Sequence, residues 1–373
     1  MTKIHIALVG KQILAVCNVI NRVKPDKMIL LPSKDSLALA ERVKEYYKGT
    51  IVCDIRELPV DNLVEIHKIA EDIVDSIDTN NEVSLELTTG FKSWAIYFFS
   101  IFREKLPQAN IYYIYQENKL FNLTKEKEVG EVDFDYKLQF WLLNINFPNY
   151  TPYSVYTSED FITMNALKGF YHKHSKVLTP LMKQFGGYMN KNKLTVQDNV
   201  EFTCDRNKIS WEAERNTITI EISGKEKVTV SSPHVWHLAN GGGWFEYYVA
   251  TVLANIYQAD QIFMNCHFKG PDNNDLNEVD IMVNTGKKLL FVECKTQIKG
   301  TTEINKFANV VRTYGALSSK SLFVTYWPMY RNGEEMCKLC SIPTFNMTSF
   351  EDSEVMNELK KRLDRIINRS NLG

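Results

Sequence analysis

The chain has 373 residues, 44% of them apolar, and a formal net charge of −1. That length exceeds the usual single domain, so two domains with a connector are expected, each with enough apolar residues for a packed core. The near-zero charge excludes the broad basic surface of a sequence-specific DNA binder, leaving room only for a local, salt-sensitive, sequence-tolerant strip.

The N-terminal part alternates strand and helix. Residues 4–9 read as a short buried strand, followed by Gly10-Lys11-Gln12 and a helix to about residue 22. A second strand at 28–31 runs into Pro32-Ser33-Lys34-Asp35, which caps a helix reaching residue 47. A third strand at 50–53 precedes an amphipathic helix over 61–77. A fourth at 83–87 enters Thr88-Thr89-Gly90-Phe91-Lys92 and a helix to about 105, and a fifth spans 111–115. This is a doubly wound, Rossmann-like α/β pattern, in which ligands gather at the carboxyl ends of the strands. Two of its strand-to-helix loops, Gly10-Lys11-Gln12 and 88–92, offer backbone N–H groups at a helix start, polar side chains and a lysine, which suits an anion. Each taken alone is also what an ordinary turn with a surface lysine would give. Neither is a dinucleotide or Walker A fingerprint.

Residues 128–235 are mixed. Helix is expected over 159–186, with Lys168, His172, Lys173, His174 and Lys176 among aromatics, and several strands over 200–230. A solvated face accounts for that basic helix better than a nucleic-acid contact does. No apolar run spans a bilayer, and the first residues pass straight into a strand without a signal-peptide pattern, so a cytoplasmic protein is expected. The seven scattered cysteines fit reduced thiols. Cys337-Lys338-Leu339-Cys340 would need two further ligands to hold zinc, and only His234 and His237 form a candidate pair.

The C-terminal part carries the sharpest chemistry. After Gly241-Gly242-Gly243, an apolar helix is expected to about residue 257, with Glu246 in its first turn, where a carboxylate also suits the helix dipole. A strand over 277–283 holds Glu278 and Asp280, Asn284-Thr285-Gly286-Lys287 reads as a hairpin turn, and an apolar strand over 289–295 ends in Glu293-Cys294-Lys295. Side chains on a strand alternate, so Glu293 and Lys295 emerge on one side, a carboxylate beside an ammonium. Such a pair suits a cation next to a phosphodiester. The same Glu-x-Lys spacing at Glu117-Asn118-Lys119 trails into a polar loop, and at Glu358-Leu359-Lys360 it lies on an amphipathic helix; neither has an acidic partner strand. Lys306, Asn309, Arg312 and Tyr314 follow on or near the next helix, most of them on a solvated face.

The helix acid, Asp280 and Glu293-Cys294-Lys295 together resemble the PD-(D/E)XK nucleases. In particular, Gly-Gly-Trp-Phe-Glu, Asn-Glu-Val-Asp and Val-Glu-Cys-Lys-Thr are similar to the C-terminal domain of CRISPR-associated CARF-domain nucleases. The resemblance implies that Asp280, Glu293, the carbonyl of Cys294 and Glu246 would hold Mg²⁺ or Mn²⁺, with Glu278 either an extra ligand or a solvated neighbour. Lys295 would orient or help deprotonate the attacking water. The N-terminal pattern resembles a CARF domain, whose family loop reads Asn-x-Thr-Gly-Gly-Thr-Lys; Thr88, Gly90 and Lys92 match it, whereas Glu86, Thr89 and Phe91 depart. It implies a homodimer binding cyclic tetra-adenylate, less readily cyclic hexa-adenylate, through Gly10, Lys11, Gln12, Ser33, Lys34 and residues 88–92. It also implies cleavage of single-stranded DNA or RNA, with nicking of duplex DNA as a further activity. The expected domains are a sensor over 1–145, a connector over 146–234 and a restriction-endonuclease-like α/β domain over 235–373. Two rivals stay open: a ligand-independent repair or restriction nuclease, and a nucleotide-sensing regulator whose C-terminal domain only binds.

Overall fold

A computed structural model describes residues 1–115, 118–269, 275–298, 300–315 and 319–368. The N-terminal sheet starts with five parallel strands, β1 (Lys3–Val9), β2 (Lys27–Pro32), β3 (Val52–Ile55), β4 (Glu82–Glu86) and β5 (Asn110–Tyr115). Helices α1 (Ile13–Val23), α2 (Leu37–Tyr46), α3 (Leu63–Asp75) and α4 (Lys92–Lys105) join them. Two short antiparallel strands, β6 (Lys119–Asn122) and β7 (Lys127–Glu131), extend one edge, giving the order β3-β2-β1-β4-β5-β6-β7. Lys119 therefore opens a strand where a polar loop is expected from sequence; Glu117 lies outside the described residues. The apolar stripe of α1 (Ile13, Leu14, Val16, Cys17, Ile20) and Val43 of α2 bury against one face, and Ile66 of α3 with Trp94, Phe98 and Phe102 of α4 bury against the other. The connections change direction between β1 and β4, so their carboxyl ends form the switch point where such sheets bind ligands.

Helix α5 (Tyr136–Leu142) starts where the Asp135 carboxylate accepts the Leu138 N–H at 2.9 Å. It is wedged between α1 and α2 on one side and the C-terminal sheet on the other, so Val16, Leu138, Phe140, Phe268 and Phe291 belong to one unbroken apolar core. Arg42 of α2 fixes the wedge: its Nε donates to the Trp141 carbonyl at 2.9 Å and its guanidinium lies 4.6 Å from the Trp141 ring centre.

Strand β8 (Asn149–Pro152) leads into α6 (Ser158–Lys191), which begins at a reciprocal Thr157–Asp160 capping box and kinks at His174. Strands β9 (Val200–Cys204), β10 (Asn207–Glu212), β11 (Thr217–Ile222) and β12 (Glu226–Ser231) form a four-stranded antiparallel sheet packed on α6. Then come α7 (Val235–Ala239), α8 (Gly243–Ala254), β13 (Ile262–Lys269), β14 (Asp275–Asn284), β15 (Leu289–Lys295), α9 (Thr302–Tyr314), β16 (Ser319–Thr325), α10 (Arg331–Leu339), β17 (Thr344–Asn346) and α11 (Asp352–Asn368). The third sheet has the order β17-β16-β15-β14-β13-β8, so a strand from the expected connector closes its far edge. The whole is the mixed α/β architecture expected: a Rossmann-like sheet, a mixed middle region and an α/β C-terminal domain. Among the described residues no helix is long and apolar enough to cross a membrane.

Candidate active site

Strands β14 and β15 pair from Asn284↔Leu289 to Ile281↔Val292, and there the ladder stops. One step further Asp280 lies opposite Glu293, and the Asp280 carboxylate itself accepts the Cys294 N–H at 2.7 Å. An acid thus replaces a backbone carbonyl where the strands part. The Lys295 ammonium sits between Glu293 (2.7 Å) and Asp280 (3.0 Å). Glu246 comes in from the first turn of α8, and His237 Nε2 stands 3.9 Å from its Oε2. The geometry therefore gathers Glu246, Asp280, Glu293 and Lys295 at one end of the hairpin. Glu278 is exposed, 3.8 Å from His267 of β13.

Crowding of carboxylates sets the electrostatics. Burial, then the neighbouring Asp280, pushes Glu293 up to about 7 despite Lys295. Glu246 is raised well above the carboxylate range, by burial first and Asp280 second. Burial alone would lower Lys295, but Asp280 and Glu293 outweigh it and hold the ammonium above its ordinary value. Burial and His234 lower His237. This excess of buried negative charge, with one ammonium to offset it, is an environment that a hard cation would relieve. Mg²⁺ or Mn²⁺ fits the oxygen donors. The carboxylates at present close on Lys295, and among the described residues no three His, Cys, Asp or Glu side chains already stand as a ready ligand cage. The zinc pairing is not formed: His234 is spent on Asp160 at 2.9 Å, while Cys337 and Cys340 lie away on α10 and just after it. Tyr314, offered by sequence as a substrate contact, is instead buried and stacked 3.8 Å from Phe268, whereas Lys306, Asn309 and Arg312 are exposed.

At the N-terminal switch point the two loops touch. The Thr89 hydroxyl donates to the Leu8 carbonyl and accepts the Gly10 N–H at 3.0 Å. A Cβ on Gly10 would meet the Gly90 nitrogen at 2.6 Å, and Gly90 itself has φ +84°. Ser36, unremarked in the sequence, ties in the third loop by donating to the Val9 carbonyl at 2.8 Å and accepting the Ser33 N–H at 2.9 Å. Thr89 and Ser33 are therefore buried and occupied with the fold, and Thr88 Oγ1 accepts the Ile114 N–H at 2.9 Å. Lys11, Gln12, Lys34, Gly90, Phe91 and Lys92 remain exposed around the same end of the sheet. Lys92 opens α4 with no acid in its first turn, so its charge faces the positive end of the helix dipole. Beneath them Glu86 is fully buried; its Oε1 accepts the Thr88 N–H at 2.6 Å.

Residues 235–364 match the family model described as Card1-like, endonuclease domain. The C-terminal part is thus an endonuclease domain. No curated protein matches the chain. Among solved structures, Can2 from Sulfobacillus thermosulfidooxidans, in complex with cyclic tetra-adenylate, is similar over 98% of this chain and 100% of its own, with a TM-score of 0.68 and 19% identity. Protein VC1899 from Vibrio cholerae covers 97% of each chain, with a TM-score of 0.71 and 15% identity. A type III CRISPR defence DNA nuclease activated by cyclic oligoadenylate matches 89% of this chain and 47% of its own, at 0.50 and 17%. At such identities the likeness establishes the fold, and it extends over both halves of the chain. The sequence resemblance to CRISPR-associated CARF-domain nucleases stands.

His237 was read from the sequence only as half of a zinc pair. Its approach to Glu246 depends on the turn from α7 into α8, where Gly243 packs directly against the His237 backbone, a Cβ there falling 2.2 Å from the His237 carbonyl oxygen. The run of three glycines was the available signal.

Proposed function

We propose that the protein is a metal-dependent endonuclease of type III CRISPR antiviral defence, switched on by a cyclic oligoadenylate. The observation that carries this reading is the joining of Glu246, Asp280, Glu293 and Lys295 at a parted hairpin inside the matched endonuclease domain. Asp280, Glu293 and the Cys294 carbonyl would hold Mg²⁺ or Mn²⁺, and Glu246 would complete the set. Such an ion would supply Lewis acidity toward a phosphoryl oxygen and a water molecule. Water attacks the phosphorus, the bond to the 3′ oxygen breaks, and a 5′-phosphate and a 3′-hydroxyl are left. Lys295, within hydrogen-bond reach of both carboxylates, orients or helps deprotonate the attacking water and offsets charge on the phosphate.

Cyclic tetra-adenylate is the activator, bound where two protomers of a homodimer bring their switch points together, since a two-fold ligand suits an isologous interface. Exposed Lys11, Gln12, Lys34, Phe91 and Lys92 supply the contacts, and Gly10, Ser33, Thr88, Thr89 and Gly90 shape the loops. The Can2 complex, similar along the whole chain, supports that choice over the hexa-adenylate. The substrates are single-stranded DNA or RNA, and such a role places the protein in the cytoplasm.

Cleavage of single-stranded DNA and RNA, measured with Mn²⁺ or Mg²⁺ and with or without cyclic tetra- and hexa-adenylate, tests all of this. Cutting that needs both ion and ligand is expected. Ligand-independent cutting would favour a repair or restriction enzyme, and no cutting under any condition a regulator that only binds.

A further inference from the structure

Strand β13 exchanges its faces at Asn265. Ile262 and Met264 pack into the core around α8, whereas Cys266 and Phe268 pack into the core around α5 and α9. Strict alternation would put all four on one side. Strand β14 does the same at Asp280, with Ile281 and Val283 in the first core and Val279 in the second. The register of the two strands, Met264 opposite Ile281 and Cys266 opposite Val279, sets Asn265 across from Asp280, so both turn over at one pair. Asn265 makes the turn with a left-handed φ of +50°; among the described residues it is the only non-glycine at positive φ inside a strand. The ladder to β8 slips at the same place: Met264 faces Thr151 and His267 faces Asn149, leaving Asn265 and Cys266 against Tyr150 alone. A bulge of this kind re-aims a side chain, and backbone strain held inside a strand points to a use for it. Here the side chain meets His237, with Asn265 Nδ2 3.3 Å from His237 Nε2. Gly243 makes room on another side, since a Cβ there would fall 3.2 Å from the same nitrogen. That nitrogen is the one 3.9 Å from Glu246 Oε2.

We infer that Asn265 is a positioning residue for Glu246, acting through His237. The inference rests on the part of the nuclease reading that makes Glu246 a metal ligand. A carboxylate that gives an oxygen to a cation is kept in place by the groups around it, and losing such a partner costs about 10–100-fold in metal affinity. His237 is the side chain that faces Glu246 Oε2, and the Asn265 amide fixes where its ring stands. Asparagine suits the post because it tolerates the left-handed backbone and still carries a hydrogen-bonding arm.

The test is calorimetric titration of the full-length protein with Mn²⁺, without nucleic acid or activator, so that no cleavage is needed. Asn265→Gly takes up the left-handed backbone without strain but loses the amide. Its Mn²⁺ affinity is expected to fall about tenfold, while the metal-free protein melts no lower than the wild type. His237→Ala is expected to show a similar loss, and the double variant no more than either alone, because one arm is cut at two points. Unchanged affinity in Asn265→Gly, with or without a lower melting point, would overturn the inference and leave a purely structural bulge. Losses that add would overturn it as well. His237→Ala, at a half-exposed position, decides the matter if the glycine variant does not fold: unchanged affinity there removes the link to Glu246. Cleavage is scored separately. A wild type that binds Mn²⁺ and shows these losses but cuts nothing refutes the nuclease and leaves Asn265 its part in the metal site, whereas one that binds no Mn²⁺ removes both.

Discussion

Replacing Glu86 by Gln should change how stability depends on pH. Glu86 ends β4 with its side chain fully buried, and among the described residues its Oε2 has no hydrogen-bond partner. Burial pushes its carboxyl from 4.5 to about 7, against the pull of Thr88. The folded state thus keeps a proton that the unfolded state has lost between those two values. Stability from this group is full below about pH 4.5, declines as pH rises and is gone above about 7. The difference amounts to about 3 kcal/mol, with no solvent screening to discount. Gln preserves the shape and an acceptor for the Thr88 N–H but cannot ionise. Thermal melting of both proteins at pH 5 and pH 8.5 measures the effect. The variant should gain on the wild type by several degrees at the higher pH and little at the lower. An equal gap at both values would show that Glu86 does not carry this burial cost.

Other outcomes are as direct. Lys295→Met should abolish cleavage and lower the metal-free protein's stability by about 2 kcal/mol, less than for a sealed ion pair because part of the side chain meets solvent; a nuclease assay and urea unfolding in EDTA check both, and surviving cleavage would remove Lys295 from the site. Mn²⁺ binding should weaken about tenfold or more per pH unit below about 7, because Glu293, and Glu246 with it, must give up a proton to become a ligand. Calorimetry in buffers of different ionisation enthalpy counts that proton, and none released would contradict the assignment. Gly10→Ala forces a Cβ against the Gly90 nitrogen, so about 1–3 kcal/mol of stability should be lost with a higher activator requirement. Lys92→Ala should raise the activator concentration for half-maximal cleavage while leaving melting unchanged; an unaltered activation curve would exclude it from the sensor.

What could be read in advance followed local pattern. The hairpin of β14 and β15 announced itself by alternation around Asn284-Thr285-Gly286-Lys287, and the parallel strands by short apolar runs before Gly or Pro. Strand β3 begins at Val52 rather than residue 50, because Thr50 and Ile51 donate back to the Tyr47 carbonyl. The wedge α5 is too short for a helical period to show, and β8 is an edge strand ending in Pro152 whose partner, β13, lies over a hundred residues away. Pairing at that distance leaves no mark on the segment itself. The same holds at the site: Asp280, Glu293 and Lys295 are local to one hairpin, whereas His237 reaches Glu246 only once α7 and α8 have packed.

The wedge of α5 has a practical consequence. With aromatic rings from Phe140 to Phe268 and Phe291 running under both outer sheets, no cut near residue 145 yields two clean pieces. Either fragment would carry bare rings that the other normally covers, and would be prone to clump. Asn118, on the first sheet's hairpin, also bonds the Lys287 carbonyl at the tip of the β14–β15 hairpin, 2.9 Å away. The two outer sheets are built as a single casting, so on the proposed reading activation would move whole protomers against each other rather than slacken a joint within one.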